Sequence, residues 1–324
     1  MKNKLWLVFV LLLPMQRTWA ANEDAVVIYP ALSNGGVVTI EGRVIERKNK
    51  PEPKTTDRKR DNFNRNMDLM TNEERKHYAI TVKLGMREWQ LTTDQEGYFR
   101  VDADRVSELA PGWHAVTGHT AQGEGTGKLL VIPVGNTQGI ISDIDDTVQV
   151  TEVNNKSRMM TNTFMLNPMQ RQVVPGIVPF YRQLAMANSQ PELTPIVYLS
   201  ASPRQLHTNI DLFLSYNEFP RGALITKRVA DDSSTEPITD QFAYKTAKIE
   251  AVLAQLPGIR FTLVGDDGEL DPEIYAAIQQ RFPERVATIW IRKVNPNPKR
   301  ERIDGEGILN DELARYLPAK ANAQ

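Results

Sequence analysis

The sequence predicts an α/β protein in two parts: an antiparallel β-sandwich-like region, then a parallel sheet flanked by helices. Three observations carry this expectation. Residues 25–134 hold short β-branched or aromatic runs bounded by Gly, Asn, Asp or Pro. After Gly139, buried strand-like runs alternate with helical spacings. Polar and acidic residues stand directly after three of those later strands, at the edge where open α/β sheets bind ligands.

At the N-terminus, Lys2 and Lys4 precede an apolar run over 5–13, and Thr18-Trp19-Ala20 places small residues at −3 and −1 of a cut before Ala21. Residues 1–20 therefore read as a secretory signal, since the run is about half of the roughly 20 residues needed to cross a bilayer. The expectation is an exported protein, periplasmic in a Gram-negative cell. In the β-rich region, residues 37–45, 78–84 and 97–101 are the strand runs. Between the first two, residues 47–76 are highly charged and poor in apolar side chains, which predicts a solvated insertion. Its Arg47, Lys48, Lys50, Lys54, Arg58, Lys59 and Arg60 form a local basic excess, read either as a soluble loop or as a contact for anionic lipid. The boundary falls near 133–139.

In the second part, 139–142, 195–199, 260–264 and 286–291 are predicted strands, and 177–187, 205–214, 244–256 and 272–282 are predicted helices. The chain has 324 residues, 39 Lys+Arg against 40 Asp+Glu, and no cysteine. That balance supplies no overall field for nucleic acid, and the missing thiols leave the chemistry to oxygen and nitrogen groups.

Asp143-Ile144-Asp145-Asp146-Thr147 follows the first of these strands. Two carboxylates two residues apart at a strand end can enter one crevice, one as nucleophile and one as proton carrier, with a hard cation offsetting their repulsion. A calcium-loop reading fails because Thr147 and Val148 stand where that loop needs an acidic or amide side chain and then glycine. A solvated acidic turn remains open from this pentapeptide alone. Ser200-Ala201-Ser202-Pro203 ends the second strand and suits either phosphate binding or an ordinary helix cap. Lys245, near a helix start where a cation is unfavourable, reads alone as a surface lysine. Gly265-Asp266-Asp267-Gly268-Glu269-Leu270-Asp271-Pro272 ends the third strand with more acid than a turn needs, placed to complete a metal shell with Asp143.

Taken in order, Asp-x-Asp-x-Thr, the strand-end Ser, the Lys and Gly-Asp-x-x-x-x-Asp resemble the four motifs of the haloacid dehalogenase superfamily of phosphotransferases. More closely, residues 141–148, 197–203 and 263–275 resemble the catalytic domain of the actin-patch type of phosphatidate phosphatase, a relative of the lipins. The resemblance covers about 139–294, with similar pieces at 38–44, 94–101 and 111–114. Arg204 departs from the aromatic residue usual after Ser-Pro in that family.

The resemblance implies a Rossmann-like catalytic domain over 139–318 with a small cap within 149–175, where Met159, Met160, Phe164, Met165, Leu166 and Met169 offer adaptable apolar surface. It implies Asp143 as nucleophile, Asp145 as acid and base, Ser200 and Lys245 as neutralisers of phosphoryl charge, and Thr147 as a loop-fixing residue. Mg²⁺ would be held by Asp143, the Asp145 carbonyl, Asp266 and either Asp267 or Asp271. The expected reaction is hydrolysis of phosphatidate to diacylglycerol and phosphate. A water-soluble phosphomonoester and a non-catalytic exported binding protein are the alternatives.

Overall fold

The computed structural model describes residues 23–48, 51–229, 240–295, 297, 299–300 and 302–317. The signal reading over 1–20, Lys50 and the last position of the 139–318 range lie outside them. Among the described residues no helix is long and apolar enough to cross a membrane.

The first part contains β1 (Asp24–Ile28), β2 (Ala31–Ser33), β3 (Val38–Glu46), helix α1 (Lys59–Met70), β4 (Ala79–Leu84), β5 (Arg87–Thr92), β6 (Tyr98–Ala103), β7 (Gly112–His119) and β8 (Glu124–Val131). Strands β1, β3 and β6 form one sheet in the order β1-β3-β6, and the rest form a second in the order β2-β8-β7-β4-β5. Alternate residues of β3, Val38, Ile40 and Val44, point into a core shared with Ile80, Val82, Leu84, Val116 and Leu129 of the other sheet. Two sheets closing on one apolar layer make the sandwich that the strand runs predict. One pairing departs from the antiparallel expectation: β2 runs parallel to β8. The chain changes sheets at Pro30, whose missing amide could serve neither ladder.

The solvated-insertion reading of 47–76 needs correction. Residues 59–70 fold as α1 and bury Asn62 and Asn66 completely. Apolar content gave the wrong signal here because the buried face of this helix is made of carboxamides.

The second part continues with β9 (Gln138–Asp143), α2 (Lys156–Met160), α3 (Ile177–Ala185), β10 (Ile196–Pro203), α4 (His207–Tyr216), β11 (Ala223–Lys227), α5 (Gln241–Gln255), β12 (Arg260–Asp266), α6 (Asp271–Arg281), β13 (Val286–Arg292), β14 (Glu306–Ile308) and α7 (Leu309–Leu313). The six strands make one sheet, ordered β11-β10-β9-β12-β13-β14, with every pairing parallel. Both faces are covered, so neighbouring residues of a strand serve different cores: Ile140 and Val264 pack with α3, α4 and α7, whereas Ile141 and Leu263 pack with α5 and α6. Each such side chain contributes roughly 1.5–3 kcal/mol by leaving water, and a one-residue slip would exchange the faces, so the register is firmly set.

The order also fixes the site. From β9 the chain builds outward through β10 and β11, then returns to place β12 on the other side of β9. Between β9 and β12 the connections diverge, which opens a crevice at their carboxyl ends. Asp143 ends β9 and Asp266 ends β12.

Candidate active site

Asp143, Asp266 and Asp271 bring one carboxylate oxygen each within 4.8 Å of one another, and all three are buried. Lys245 enters the group from α5 and is only 1% exposed, which overturns its reading as a surface lysine. Its ammonium donates to Asp143 Oδ1 at 2.7 Å and to Asp271 Oδ1 at 2.6 Å, with Glu269 3.9 Å away. The helix begins at Gln241, where Asp240 caps it by accepting from the amide of Ala243, so Lys245 stands in its second turn.

Each member is held from its own element. Gly265 allows the close approach of β12 to Asp271, since a Cβ there would lie 2.5 Å from Asp271 Oδ2. That oxygen accepts from the Asp266 amide at 3.3 Å. Thr147 donates to Asp266 Oδ2 at 3.2 Å, a loop-fixing role. Asp146 has a φ of +55°, a left-handed turn that folds the loop back. Its carboxylate steadies the turn by accepting from the amides of Thr151, Glu152 and Val153.

Asp145 lies beside this group with its carboxylate turned another way. Oδ2 accepts from Ser200 Oγ at 3.1 Å and Ser202 Oγ at 3.3 Å, and Oδ1 accepts from Thr151 Oγ1 at 2.8 Å. Ser200 and Asp145 therefore adjoin as the sequence suggested. Asp267 does not join the three: its Oδ1 accepts from the amides of Val294 and Asn295, which ties the loop to the end of β13.

Three carboxylates around one ammonium leave two excess negative charges in a buried space. Burial, then the neighbouring acids, push the Asp143 and Asp266 carboxyls well above their usual range, against the pull of Lys245. Burial opposes the charge on Lys245, but Asp143, Asp271 and Glu269 outweigh it and hold the ammonium well above its ordinary range. A divalent cation would cancel the excess. The donor set fits one, because all the ligand atoms are carboxylate oxygens gathered within 4.8 Å of one another.

Sequence reasoning missed Gln149, Thr151 and Arg171, which line up behind Asp145 through hydrogen bonds. No spacing marks them. Glu269 lies inside the acidic run and could have been found there. Arg204, the departure from the family pattern, stands 5.1 Å from the Tyr29 ring and 5.5 Å from the Tyr98 ring and pairs with Glu41 at 3.3 Å. It thus joins the loop after Ser202 to the β-sandwich.

Comparison with known proteins agrees with the motif order. Residues 138–293 match the family model described as phosphatidate phosphatase APP1, catalytic domain. An uncharacterised protein of Schizosaccharomyces pombe is 29% identical over 64% of this chain and 35% of its own length. Phosphatidate phosphatase APP1 of Saccharomyces cerevisiae is 31% identical over 53% of this chain and 29% of its own length. The chain thus spans about a third of these relatives. Among solved structures, a Pnkp1/Rnl/Hen1 complex aligns at 15% identity over 51% of this chain and 49% of that one, with a TM-score of 0.31. A carbohydrate acetylesterase from Xanthomonas citri aligns at 10% identity over 81% and 57%, with a TM-score of 0.30. These two likenesses are too distant to bear on the site. The family match and the yeast relative support an APP1-type phosphatidate phosphatase domain over residues 138–293.

Proposed function

We propose that the chain is a Mg²⁺-dependent phosphomonoesterase of the haloacid dehalogenase type that hydrolyses phosphatidate to diacylglycerol and phosphate. The bare Asp143 Oδ2 carries this reading: one oxygen of the carboxylate is fixed by Lys245, and the other is buried with nothing bonded to it. The family match and the yeast relative support the substrate class.

Asp143 Oδ2 attacks phosphorus and the bond from phosphorus to the glycerol oxygen breaks, leaving an aspartyl phosphate. Asp145 passes a proton to the departing alkoxide. It then takes a proton from water as the water oxygen attacks phosphorus, which frees phosphate and restores Asp143. Ser200 and Lys245 offset charge on the equatorial oxygens, the dominant demand of phosphoryl transfer. Asp143 and Asp266 would hold Mg²⁺, which when bound would supply Lewis-acid charge to the phosphoryl group. Asp271 serves first as the counter-ion of Lys245, and Asp267 as a loop tie. From residues 1–20 we further propose that this chemistry takes place outside the cytoplasm, at a membrane surface.

The test is turnover of phosphatidate in mixed micelles beside sugar and nucleotide phosphates, with Mg²⁺, for wild type and Asp143→Asn. Wild type is expected to cleave phosphatidate, and the variant to lose at least about 10⁴-fold. Cleavage of the soluble esters alone would sink the lipid assignment. Absence of all turnover, or an active variant, would sink the phosphatase reading.

A further inference from the structure

We infer that α1, contributed by the N-terminal half, forms one side of the cover next to the reaction centre, and that Asn66 is a positioning residue for Asp145. The inference rests on the phosphatase reading for the role of Asp145, and on geometry for the rest.

Residues 161–165 form a single π-helical turn directly after α2. So short a helix leaves its last carbonyls without partners of its own, and here other parts of the chain meet them. Asn66 Nδ2 donates to Phe164 O at 2.8 Å, with Thr163 O at 3.4 Å and Leu166 O at 3.5 Å. Asn62 Nδ2 donates to Met165 O at 3.0 Å and to Gln170 Oε1 at 2.6 Å. Asn66 is 1% exposed and its own oxygen accepts from Asn209 of α4 at 2.6 Å, so one carboxamide joins α1, the turn and α4. Burying two asparagines costs free energy unless each donor and acceptor is used, and these are.

The same turn reaches the catalytic loop. Arg171 is buried and donates through Nη2 to Thr163 O at 2.7 Å and through Nη1 to Gln149 Oε1 at 3.3 Å. Gln149 Nε2 donates to Thr151 Oγ1 at 3.0 Å, and Thr151 Oγ1 donates to Asp145 Oδ1 at 2.8 Å. Asn162 adds a direct tie, donating to Thr151 O at 3.0 Å. Asn66 and Arg171 both donate into the Thr163 carbonyl, and each later link has one donor and one acceptor, so the contacts run unbroken from Asn66 to Asp145. Loss of the Asn66 carboxamide frees the Thr163 carbonyl end of this chain and with it the orientation of the Asp145 carboxyl.

The experiment compares two esters. Protonation of the leaving group matters for an alkyl phosphate, which departs as a poor alkoxide, and little for p-nitrophenyl phosphate, which departs as a stable phenolate. Asn66→Ala is expected to lower the ratio of alkyl to nitrophenyl turnover roughly 10-fold or more, whereas a loss of folded protein would lower both rates in step. Hydrogen exchange of the full chain is expected to quicken in the 159–170 segment. An unchanged ratio overturns the positioning role whatever the exchange does, and unchanged exchange overturns the shared cover. If wild type hydrolyses neither ester, the phosphatase reading fails, while exchange still decides whether α1 holds the turn. Should Asn66→Ala not fold, Arg171→Lys, which lacks the second arm toward Gln149, is read by the same ratio.

Discussion

Lys245 meets Asp143 through Oδ1 alone, at 2.7 Å, and leaves Oδ2 bare. That asymmetry makes the lysine the guide of the carboxylate and, among the described residues, the ammonium that balances the three buried acids. Lys245→Met is therefore expected to lower stability by about 3–5 kcal/mol near neutral pH, the cost of stranding buried charge. Acid relieves the loss, because protons on the carboxyls replace the missing cation. Urea unfolding at pH 8 and pH 5 checks this, and equal losses at both would contradict it.

A second expectation concerns the metal. Burial holds the Asp143 and Asp266 carboxyls above their usual range, so the free cluster keeps protons that ordinary carboxylates would have lost. A divalent cation must displace them, so binding releases protons and affinity rises with pH. Titration calorimetry with Mg²⁺ in two buffers of different ionisation enthalpy reads the release directly. Identical heats in both buffers would count against the site.

His207 gives the fold its own pH dependence. Its ring is buried against Tyr29, with centroids 4.6 Å apart, and burial followed by the nearby charge of Arg204 pushes its pKa from 6.5 to about 3. The unfolded chain takes up a proton below 6.5 and the folded chain does not. The stabilising contribution is therefore full above that pH and is lost as pH falls toward 3, by up to about 1.4 kcal/mol per unit. His207→Gln is expected to flatten the fall in stability between pH 6.5 and 4, measured by denaturant unfolding. An equally steep fall would remove His207 from the account.

Lys59 and Arg60 are exposed on α1, while Arg58 beside them pairs with Asp61. Replacing both with Gln is expected to weaken partition onto anionic vesicles by about 1 kcal/mol each, roughly 5-fold per residue, and the effect should vanish in high salt. Cosedimentation with vesicles rich in anionic lipid measures it. Equal partition of the two proteins would exclude this helix from the contact.

The parallel sheet was legible because its strands are unbroken apolar runs, and strands buried on both faces can hardly be written otherwise. The placing of polar residues along one sheet edge was legible too, since Asp143 and Asp266 end β9 and β12 and Ser200 lies near the end of β10. Strands β7 and β8 were not, because Gly112, Gly118, Gly125 and Gly127 dilute the β-branched signal. Those at 125 and 127 are needed where β1 crosses closely, as a Cβ would meet Val26 and Ile28. Helix α1 and Arg171 were hidden for a common reason: their burial is satisfied by hydrogen bonds to other loops and turns, which no local periodicity records.

Leu32, Leu130 and Ile132, from β2, β8 and the residue after it, lie in the same apolar cluster as Val252, Leu256 and Phe261 from α5 to β12. The two halves are thus welded along a seam, and the family-matched stretch is not a detachable module. Excised at residue 138, it would carry a raw hydrophobic flank and is expected to aggregate, so shuffling it between proteins requires the sandwich to travel with it.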